Sequence, residues 1–255
     1  MLEDIRAVLA EFAPISLDQM ENVKLLDRMD TKFLTTEEHL LEILESVRDD
    51  YRVLTHCGVQ AHLYHTQYFD TPDRLLYMVH HNDHQDRYKV RARSYLDSGV
   101  VFLEVKHKTP KRRTIKQRMP IDAIPMILEG EHARFVDAFS PVQPQILEPV
   151  IWNMFHRITL VSKTRRERLT VDVGLRYGWA GREGELPGIA VIEVKQPKFS
   201  IQSDFVQQLR RRHIWRMGFS KYCAGMSEIY PDLKANRFKP RRLYIARLLR
   251  QRGGL

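Results

Sequence analysis

The stretch RYKVRAR, residues 87–93, alternates strictly between basic side chains and apolar or aromatic ones. Residues two apart in a β-strand point to the same side, so this stretch predicts a strand with one cationic face and one apolar face. The cationic face holds Arg87, Lys89, Arg91 and Arg93. A strand with two such different faces is typical of an antiparallel sheet whose apolar side packs against other elements.

Five other segments alternate in the same way, and each has a polar face rich in charged residues. Those faces consist of Arg28, Asp30 and Lys32; Glu104, Lys106 and Lys108; Arg112, Thr114, Lys116 and Arg118; Arg166, Arg168, Thr170 and Asp172; and Glu193 and Lys195. An ordinary solvated sheet face explains any single segment. Six such faces are harder to explain that way, because like charges directly opposite each other destabilise neighbouring strands. If the sheet closes into a barrel, the charged faces line its interior and the apolar faces pack against helices.

A cationic interior needs negative charge to offset its repulsion, since an unpaired buried ion costs several kcal/mol. Four carboxylates fall on the same faces as the cations: Asp30, Glu104, Asp172 and Glu193. The net charge of +9 and the pI of about 9.6 also indicate an anionic partner, which could be nucleic acid, anionic lipid or a phosphorylated small molecule. Cations on enclosed strand faces favour a phosphorylated ligand over nucleic acid, which would need an open surface with exposed aromatic residues.

The composition places the chain among ordinary globular proteins. Its 255 residues are enough for a sizeable core, with 43% hydrophobic and 29% charged residues. No apolar run approaches the ~20 residues of a membrane-spanning helix. Residues 1–6 lack the apolar core of a signal peptide. Cys57 and Cys223 have neither metal-ligand nor redox spacing, so we expect two reduced thiols in a cytoplasmic protein.

The order of strand-like and helix-like segments predicts an α+β fold. We expect strands between residues 51 and 120 and near 146–160, 165–173 and 189–195. We expect helices in 1–26, 36–48, 122–138 and 203–216, and in the first part, 237–252, of a basic C-terminal tail at 237–255. The helix at 36–48 has the clearest signal, because Thr36 can cap it and acidic residues follow in its first turn. Since the sequence contains no low-complexity linker, we expect 1–255 to form a single domain.

Seven ordered segments together resemble one known family. They are RMDTKF (28–33), QYFDTP (67–72), RYKVRARSY (87–95), FLEVKHK (102–108), RLTVD (168–172), IEVK (192–195) and FSKY (219–222). Each is weak alone, but their order and spacing between residues 24 and 230 resemble the polyphosphate polymerase domain of the vacuolar transporter chaperone (VTC) family. That family is part of the CYTH-like superfamily of triphosphate tunnel metalloenzymes.

The resemblance implies a closed antiparallel β-barrel, forming a tunnel, with helices packed outside it. It implies that the γ-phosphate of ATP is transferred in this tunnel to a growing polyphosphate chain, with Mn²⁺ or Mg²⁺ as the cofactor. One departure matters within the superfamily. The hydrolase and cyclase branches open with Glu-x-Glu-x-Lys, whereas this chain has Arg28-x-Asp30-x-Lys32. An arginine in the first place removes a metal ligand and adds a phosphate contact, which favours the polymerase branch.

The resemblance and the strand faces together assign roles to individual residues. We expect five residues at the reacting phosphates: Lys32, Arg91, Arg93, Lys106 and Lys195. We expect six more to bind other phosphates: Arg28, Lys89, Lys116, Arg118, Arg168 and Lys221. Glu193 matches the family's metal-binding glutamate, and a hard divalent ion suits a carboxylate beside phosphate oxygens. For Glu104 and Asp172, pairing with a cation is favoured over metal binding.

Other functions remain open on the same sequence. One is a triphosphate or polyphosphate hydrolase on the same fold, and another is a non-catalytic module that binds polyphosphate or inositol phosphates. Candidate partners are ATP, inorganic polyphosphate, inositol or other phosphates, and a membrane protein through which the chain would associate with a membrane. No nucleic acid is expected. Ser220, Lys221 and Tyr222 would close one mouth of the tunnel.

Overall fold

The structure is a computed structural model that describes residues 1–21, 28–111 and 113–252. Within these residues lie eleven strands: β1 (Ala13–Ile15), β2 (Met29–Thr36), β3 (Tyr51–Leu54), β4 (Ala61–Asp70), β5 (Arg87–Tyr95), β6 (Val100–Lys108), β7 (Thr114–Ile121), β8 (Glu148–Ser162), β9 (Arg168–Trp179), β10 (Arg182–Leu186) and β11 (Ile189–Gln196). They also contain eight α-helices: α1 (Leu2–Ala10), α2 (Leu17–Glu21), α3 (Glu37–Val47), α4 (Leu75–His81), α5 (Gly130–Phe139), α6 (Asp204–Arg211), α7 (Lys221–Ile229) and α8 (Lys239–Arg252). The predicted α+β class is confirmed.

The strands form one large sheet that curls on itself. Their order is β2-β11-β9-β8-β4-β5-β6-β7, and every pair along this path is antiparallel. Four strands separate Lys106 on β6 from Glu193 on β11, a distance of about 24 Å in a flat sheet. The pKa of Lys106, which burial lowers, also responds to the charges of Glu193 on β11 and Lys32 on β2. Both residues must therefore lie near Lys106. The sheet therefore curves enough to bring its two ends within electrostatic reach.

The outer face of the sheet is apolar and carries most of the helices. On one half, α3 and α6 pack on the sheet through Leu40 and Phe205, which meet Val171 and Ile192 in one buried cluster. On the other half, the α5 residue Val136 packs in a cluster with the apolar side chains of β5 and β6. Each such side chain contributes about 1.5–3 kcal/mol when fully buried. The apolar half of the period-2 pattern thus fixes which face points outward, towards the helices.

Helix α3 begins where the sequence predicts. The hydroxyl oxygen of Thr36 accepts a hydrogen bond from the backbone N–H of His39 at 3.2 Å, and Glu37 and Glu38 follow in the first turn. The cap satisfies one of the free N–H groups at the helix start, and the carboxylates interact favourably with the helix dipole. Since Thr36 also ends β2, the cap sets the point at which the chain leaves the sheet.

The predicted closed barrel is not completed by strand pairing. Within the described residues, β2 and β7 end the strand order, and no ladder joins them. The edge of β2 instead meets the non-helical segment 214–220. Phe33 forms an isolated bridge with Arg216, and the N–H of Met217 donates to the carbonyl of Lys32 at 2.8 Å. An irregular segment therefore satisfies part of the strand edge that a barrel would have paired with β7.

Other predicted elements need correction. The lead-in predicted as helical contains the short strand β1 between α1 and α2. Residues 122–129 are not helical, since α5 begins at Gly130, and α6 ends at Arg211 rather than near residue 216. Three elements were not predicted: α4, α7 and β10. Arg112, the predicted domain boundary at residue 24 and the tail residues 253–255 lie outside the described residues.

In the part of the chain that the structure describes, no helix is both long enough and apolar enough to span a bilayer.

Candidate functional site: a cation-lined inner face

The register of the sheet places the predicted cations on one face. Residues directly opposite each other on paired strands share a face. On one half of the sheet, Lys89, Lys106 and Lys116 form one cross-strand row, and Arg91, Glu104 and Arg118 form the next. On the other half, Glu193 lies opposite Lys32 and Thr170, and Lys195 lies opposite Asp30 and Arg168.

The centre of this face is enclosed, whereas Arg28, Lys116 and Arg118 are exposed. Relative exposure is 0% for Glu104, 3% for Asp172, and 6% for both Arg93 and Lys195. The predicted inward orientation is confirmed for these residues. Arg118 is more exposed and packs its guanidinium over the ring of Phe102, with 4.7 Å to the ring centroid. The inner face is thus most closed at its centre and opens towards Arg118.

Three inner-face carboxylates, two of them buried and Glu193 half-buried, each pair with two cations from different elements. Glu193 on β11 contacts Lys195 at 2.7 Å and Lys32 of β2 at 3.0 Å. Glu104 on β6 contacts Arg91 of β5 at 2.6 Å and also Lys116 of β7. For the third carboxylate, pairing with a cation was predicted but its partners were not. Asp172 on β9 receives two hydrogen bonds from Arg157 of β8, at 2.6 and 2.7 Å, and an ion pair from Lys221 of α7.

All three carboxylates stay ionised in these surroundings. Burial raises the pKa of Glu104, but the charges of Arg91, Arg93 and Lys116 outweigh it and lower the pKa to about 2. Burial acts in the same direction on Asp172, and its two cations likewise hold the pKa below the usual range. For Glu193, Lys195 and Lys32 overcome burial and lower the pKa well below normal. The pairing of Glu104 and Asp172 with cations agrees with the role that the sequence favoured for them.

Five of the predicted cations contact no carboxylate in the described part of the chain: Lys89, Arg93, Lys106, Arg118 and Arg168. Arg93 donates to the hydroxyl of Thr66 at 3.1 Å and lies over the rings of Tyr64 and Phe155. Burial, together with the charges of Arg91, Lys32 and Lys89, lowers the pKa of Lys106 to about 7. Apart from the exposed Arg118, these cations have lost much of their water without gaining a fixed counter-ion, so an anion bound here would gain most from them.

Two inner-face residues were missed by sequence reasoning. Arg157 lies on β8 opposite Asp172, in a strand that was predicted but whose faces were not assigned. Its alternation with the outward Ile158 and Leu160 is the signal that could have identified it. The second is Tyr68, whose phenol oxygen accepts a hydrogen bond from Arg91 at 3.4 Å. Burial raises the pKa of its phenol, but Arg91, Arg93 and Lys89 outweigh burial and lower the pKa to about 8.

The sequence assigns a divalent metal to Glu193, and the surroundings of that carboxylate limit how it could bind one. Both of its oxygens face ammonium groups, those of Lys32 and Lys195. The described residues contain no group of three or more His, Cys, Asp or Glu side chains arranged to hold a metal. Glu193 fits Mg²⁺ or Mn²⁺ only when phosphate oxygens complete the ligand set and draw the ammonium groups away.

The arrangement suits a chain of phosphates. A row of lysines, buried arginines with planar donor groups and a single conditional metal ligand can neutralise and orient several phosphate groups at once. Phosphoryl transfer demands mainly alignment and charge stabilisation from a protein. The inner face offers both, with the side chains already fixed by ion pairs.

Comparisons with known proteins give one family match. The model of the family described as "VTC domain" matches residues 27–230. Among solved structures, the chain is similar to a Hippeastrum protein described as having a dominant triphosphatase activity, at 17% identity over 79% of this chain and 97% of that one, with a TM-score of 0.49. A candidate adenylate cyclase from Bacillus halodurans gives 14% identity, 76% and 96% coverage and a TM-score of 0.47. A Pyrococcus horikoshii protein is similar at 14% identity over 79% of this chain and 99% of that one, with a TM-score of 0.45. No curated protein matches the sequence.

Proposed function

Because the chain belongs to the family of VTC domains, we propose that it is an ATP-dependent polyphosphate polymerase. It transfers the γ-phosphate of ATP to a growing polyphosphate chain held against the inner face of its curled sheet. The observation that carries this proposal is the set of inner-face cations that contact no carboxylate among the described residues, above all the buried Arg93 and the half-buried Lys106. A polyanion is the ligand class that offsets such a surplus of positive charge.

The roles of the residues follow from their present partners. Arg93, Lys106 and Lys89 contact phosphate oxygens first, because no carboxylate has to leave them. Arg91, Lys32, Lys195 and Lys221 are held ready by Glu104, Glu193 and Asp172 and turn towards phosphate when it arrives. Arg28, Arg168, Lys116 and Arg118 extend the binding surface along the chain of phosphates. Since these groups are preorganised, they can stabilise charge that develops at the transferred phosphoryl group.

The metal belongs to the same proposal. Glu193 would hold Mn²⁺ or Mg²⁺ once phosphate oxygens of the donor complete the ligand set, and the ion would neutralise phosphate charge. Metal affinity is therefore weak without nucleotide and much stronger with it. Glu193→Gln keeps the shape and removes the charge, so ATP binding persists while metal-dependent turnover is lost. Calorimetric titration of Mn²⁺ with and without a non-hydrolysable ATP analogue checks this. Tight metal binding without nucleotide, or normal turnover of Glu193→Gln, moves the metal site elsewhere.

The direct test of the activity is incubation of pure protein with ATP and Mn²⁺, followed by electrophoresis of the products. Polymerase activity produces ADP and a ladder of polyphosphate chains. Orthophosphate without chains instead identifies the hydrolase alternative on the same inner face. Binding without any turnover identifies a non-catalytic polyphosphate module. Arg93→Ala is the matched inactive control, because it removes a buried cation whose loss leaves no carboxylate unpaired.

A further inference from the structure

Ser220 connects the segment 214–220 to the inner face. Its hydroxyl oxygen accepts a hydrogen bond from the ammonium group of Lys89 at 2.8 Å and another from the backbone N–H of Cys223 at 3.3 Å. Ser220 accepts both bonds while Lys89 is charged; when Lys89 is uncharged, the same 2.8 Å contact lets the Ser220 hydroxyl donate to the amine. The side chain is partly accessible rather than sealed in the core. A hydroxyl next to a buried lysine is a recurrent form of activated nucleophile.

Lys89 is suited to take the proton of that hydroxyl. Burial, together with the charges of Arg91 and Lys32, lowers its pKa, although Cys223 and Tyr68 act in the opposite direction. In the described residues it contacts no carboxylate, which would have held it in its charged form. Its ammonium group lies 5.7 Å from the centre of the Tyr222 ring, so Lys89 contacts two residues at the start of α7, Ser220 and Tyr222.

The surroundings also favour a phosphate on Ser220. Lys221 follows it directly and reaches the inner face, where it pairs with Asp172. Lys106 lies opposite Lys89 on the neighbouring strand and has no ion-pair partner in the described residues. A phosphoserine beside such cations gains charge-assisted hydrogen bonds, and its position at the N-cap of α7 adds a favourable dipole interaction.

We infer that Ser220 is a phosphoryl acceptor. The protein transfers a phosphate from ATP to its own Ser220, and this phosphoserine then serves as the primer of a polyphosphate chain. This inference rests on the proposed polymerase function. In the first step, the oxygen of Ser220 attacks the γ-phosphorus of ATP. A bond forms between that oxygen and phosphorus, the bond to the β,γ-bridging oxygen breaks, and ADP leaves with the electron pair. The hydroxyl proton passes to Lys89 in molecules whose Lys89 amine is uncharged, and the ammonium group so formed then contacts the transferred phosphate. Later transfers from ATP add phosphates to the phosphoserine.

A purely structural role for Ser220 makes a different prediction. As the N-cap of α7 it contributes about 1 kcal/mol, which alanine would remove. Asparagine caps helices as well as serine does, but it has no hydroxyl. Ser220→Asn therefore preserves the fold and removes only the acceptor, whereas Ser220→Ala removes both. Comparing the two variants separates loss of the nucleophile from loss of the cap.

The test is mass spectrometry of acid-quenched protein after incubation with ATP and Mn²⁺. Trypsin releases residues 217–221, a peptide in which Ser220 is the sole hydroxyl-bearing side chain, so the position of a phosphate is unambiguous. We expect a phosphate on this peptide in the wild type and none in Ser220→Asn. We also expect Ser220→Asn to start new chains at least about tenfold more slowly. Added short polyphosphate should restore its rate, because elongation of a free primer does not need the hydroxyl.

The outcomes separate this inference from the proposed function. Wild-type protein that makes polyphosphate while the 217–221 peptide stays unmodified overturns the inference and leaves the polymerase intact. Ser220→Asn starting chains at the wild-type rate without added primer also overturns it. If the wild type neither makes nor degrades any phosphate chain, the proposed function and the inference fall together.

Discussion

Arg91 and Arg93 differ in what their removal leaves behind. Arg91 is one of two partners of Glu104, which is 0% exposed. We expect Arg91→Ala to lower the free energy of unfolding by about 3 kcal/mol, because breaking a buried pair leaves a carboxylate with too little positive charge. Arg93 has no carboxylate partner in the described residues and is repelled by Arg91. Arg93→Ala should therefore keep or raise the stability of the protein. Urea unfolding of both variants measures the difference.

Both arginine variants should lose polyphosphate synthesis, since each removes a phosphate-binding group. Comparing the two variants separates stability from activity, because we expect Arg93→Ala to be folded but inactive. Equal destabilisation by both substitutions would show that the ion pair between Arg91 and Glu104 adds nothing to the free energy of unfolding beyond what Arg93 adds. Near-normal synthesis by either variant would remove that arginine from the site.

Lys106 makes ligand binding depend on pH. Its pKa of about 7 results first from burial, then from the facing cations Arg91 and Lys89 of β5 and Lys32 of β2; Glu193 of β11 acts in the opposite direction. Below pH 7 the side chain is charged and attracts phosphate, and above pH 7 it becomes neutral. We expect tripolyphosphate affinity to fall as the pH rises from 6 to 9. Calorimetry across that range measures the trend.

Lys106→Arg is the matched control for this pH dependence. Arginine keeps its charge throughout the range, so the variant reports only the ionisation of the ligand and of other groups. A wild-type pH profile that coincides with that of Lys106→Arg would mean that Lys106 does not titrate near neutrality.

At the level of single elements, Tyr222 fixes helix α7 to the rest of the fold. Its hydroxyl donates to the carboxylate of Asp70, which also accepts from the backbone N–H groups of Leu76 and Tyr77 at the start of α4. Tyr222→Phe removes one donor from a carboxylate that is 0% exposed. We expect a loss of about 1–3 kcal/mol in the free energy of unfolding. Chemical denaturation measures it, and a change below about 0.5 kcal/mol would mean that Asp70 needs no donor from α7.

The same elements show what the sequence can and cannot predict. Period-2 alternation predicts the inner faces of β5, β6, β9 and β11, because each strand has its cations and apolar residues strictly separated. The inward orientation of Arg157 was not predicted, because β8 has an irregular register between Met154 and His156. No single alternation therefore runs through all fifteen residues of the strand. Helix α7 was not predicted, because its nine residues give only a short helical pattern. Its position also depends on contacts with Asp70 and Asp172, which lie far away in the sequence.

For the molecule as a whole, the sequence does not predict how the two ends of the sheet meet. The alternation of charges indicates which face is enclosed, but the pairing of β2 with β7 depends on which backbone groups meet at the seam. That edge of β2 is met by residues 216 and 217, which carry no strand signal. The segment 214–220 therefore serves two ends of the fold, the seam beside β2 and, through Ser220, the lysines of the inner face.

Charge balance links this fold to its proposed activity. Three inner-face carboxylates hold six cations in place, and further cations on the same face contact no carboxylate in the described residues. The carboxylates offset the repulsion among the paired cations. A chain of phosphates can neutralise the positive charge that remains. The site is thus stable without ligand but gains further stability with one.

Calorimetric titration with tripolyphosphate tests this account most directly. We expect one molecule to bind at the inner face, and Arg93→Ala to weaken binding by at least about tenfold, since a hydrogen bond to a charged group contributes about 1.5–3 kcal/mol. The control is Arg134→Ala, which removes the same charge from the exposed surface of α5 and should bind like the wild type. Equal affinity in all three proteins, or no binding to the wild type, would contradict a cation-lined inner face that binds phosphate chains.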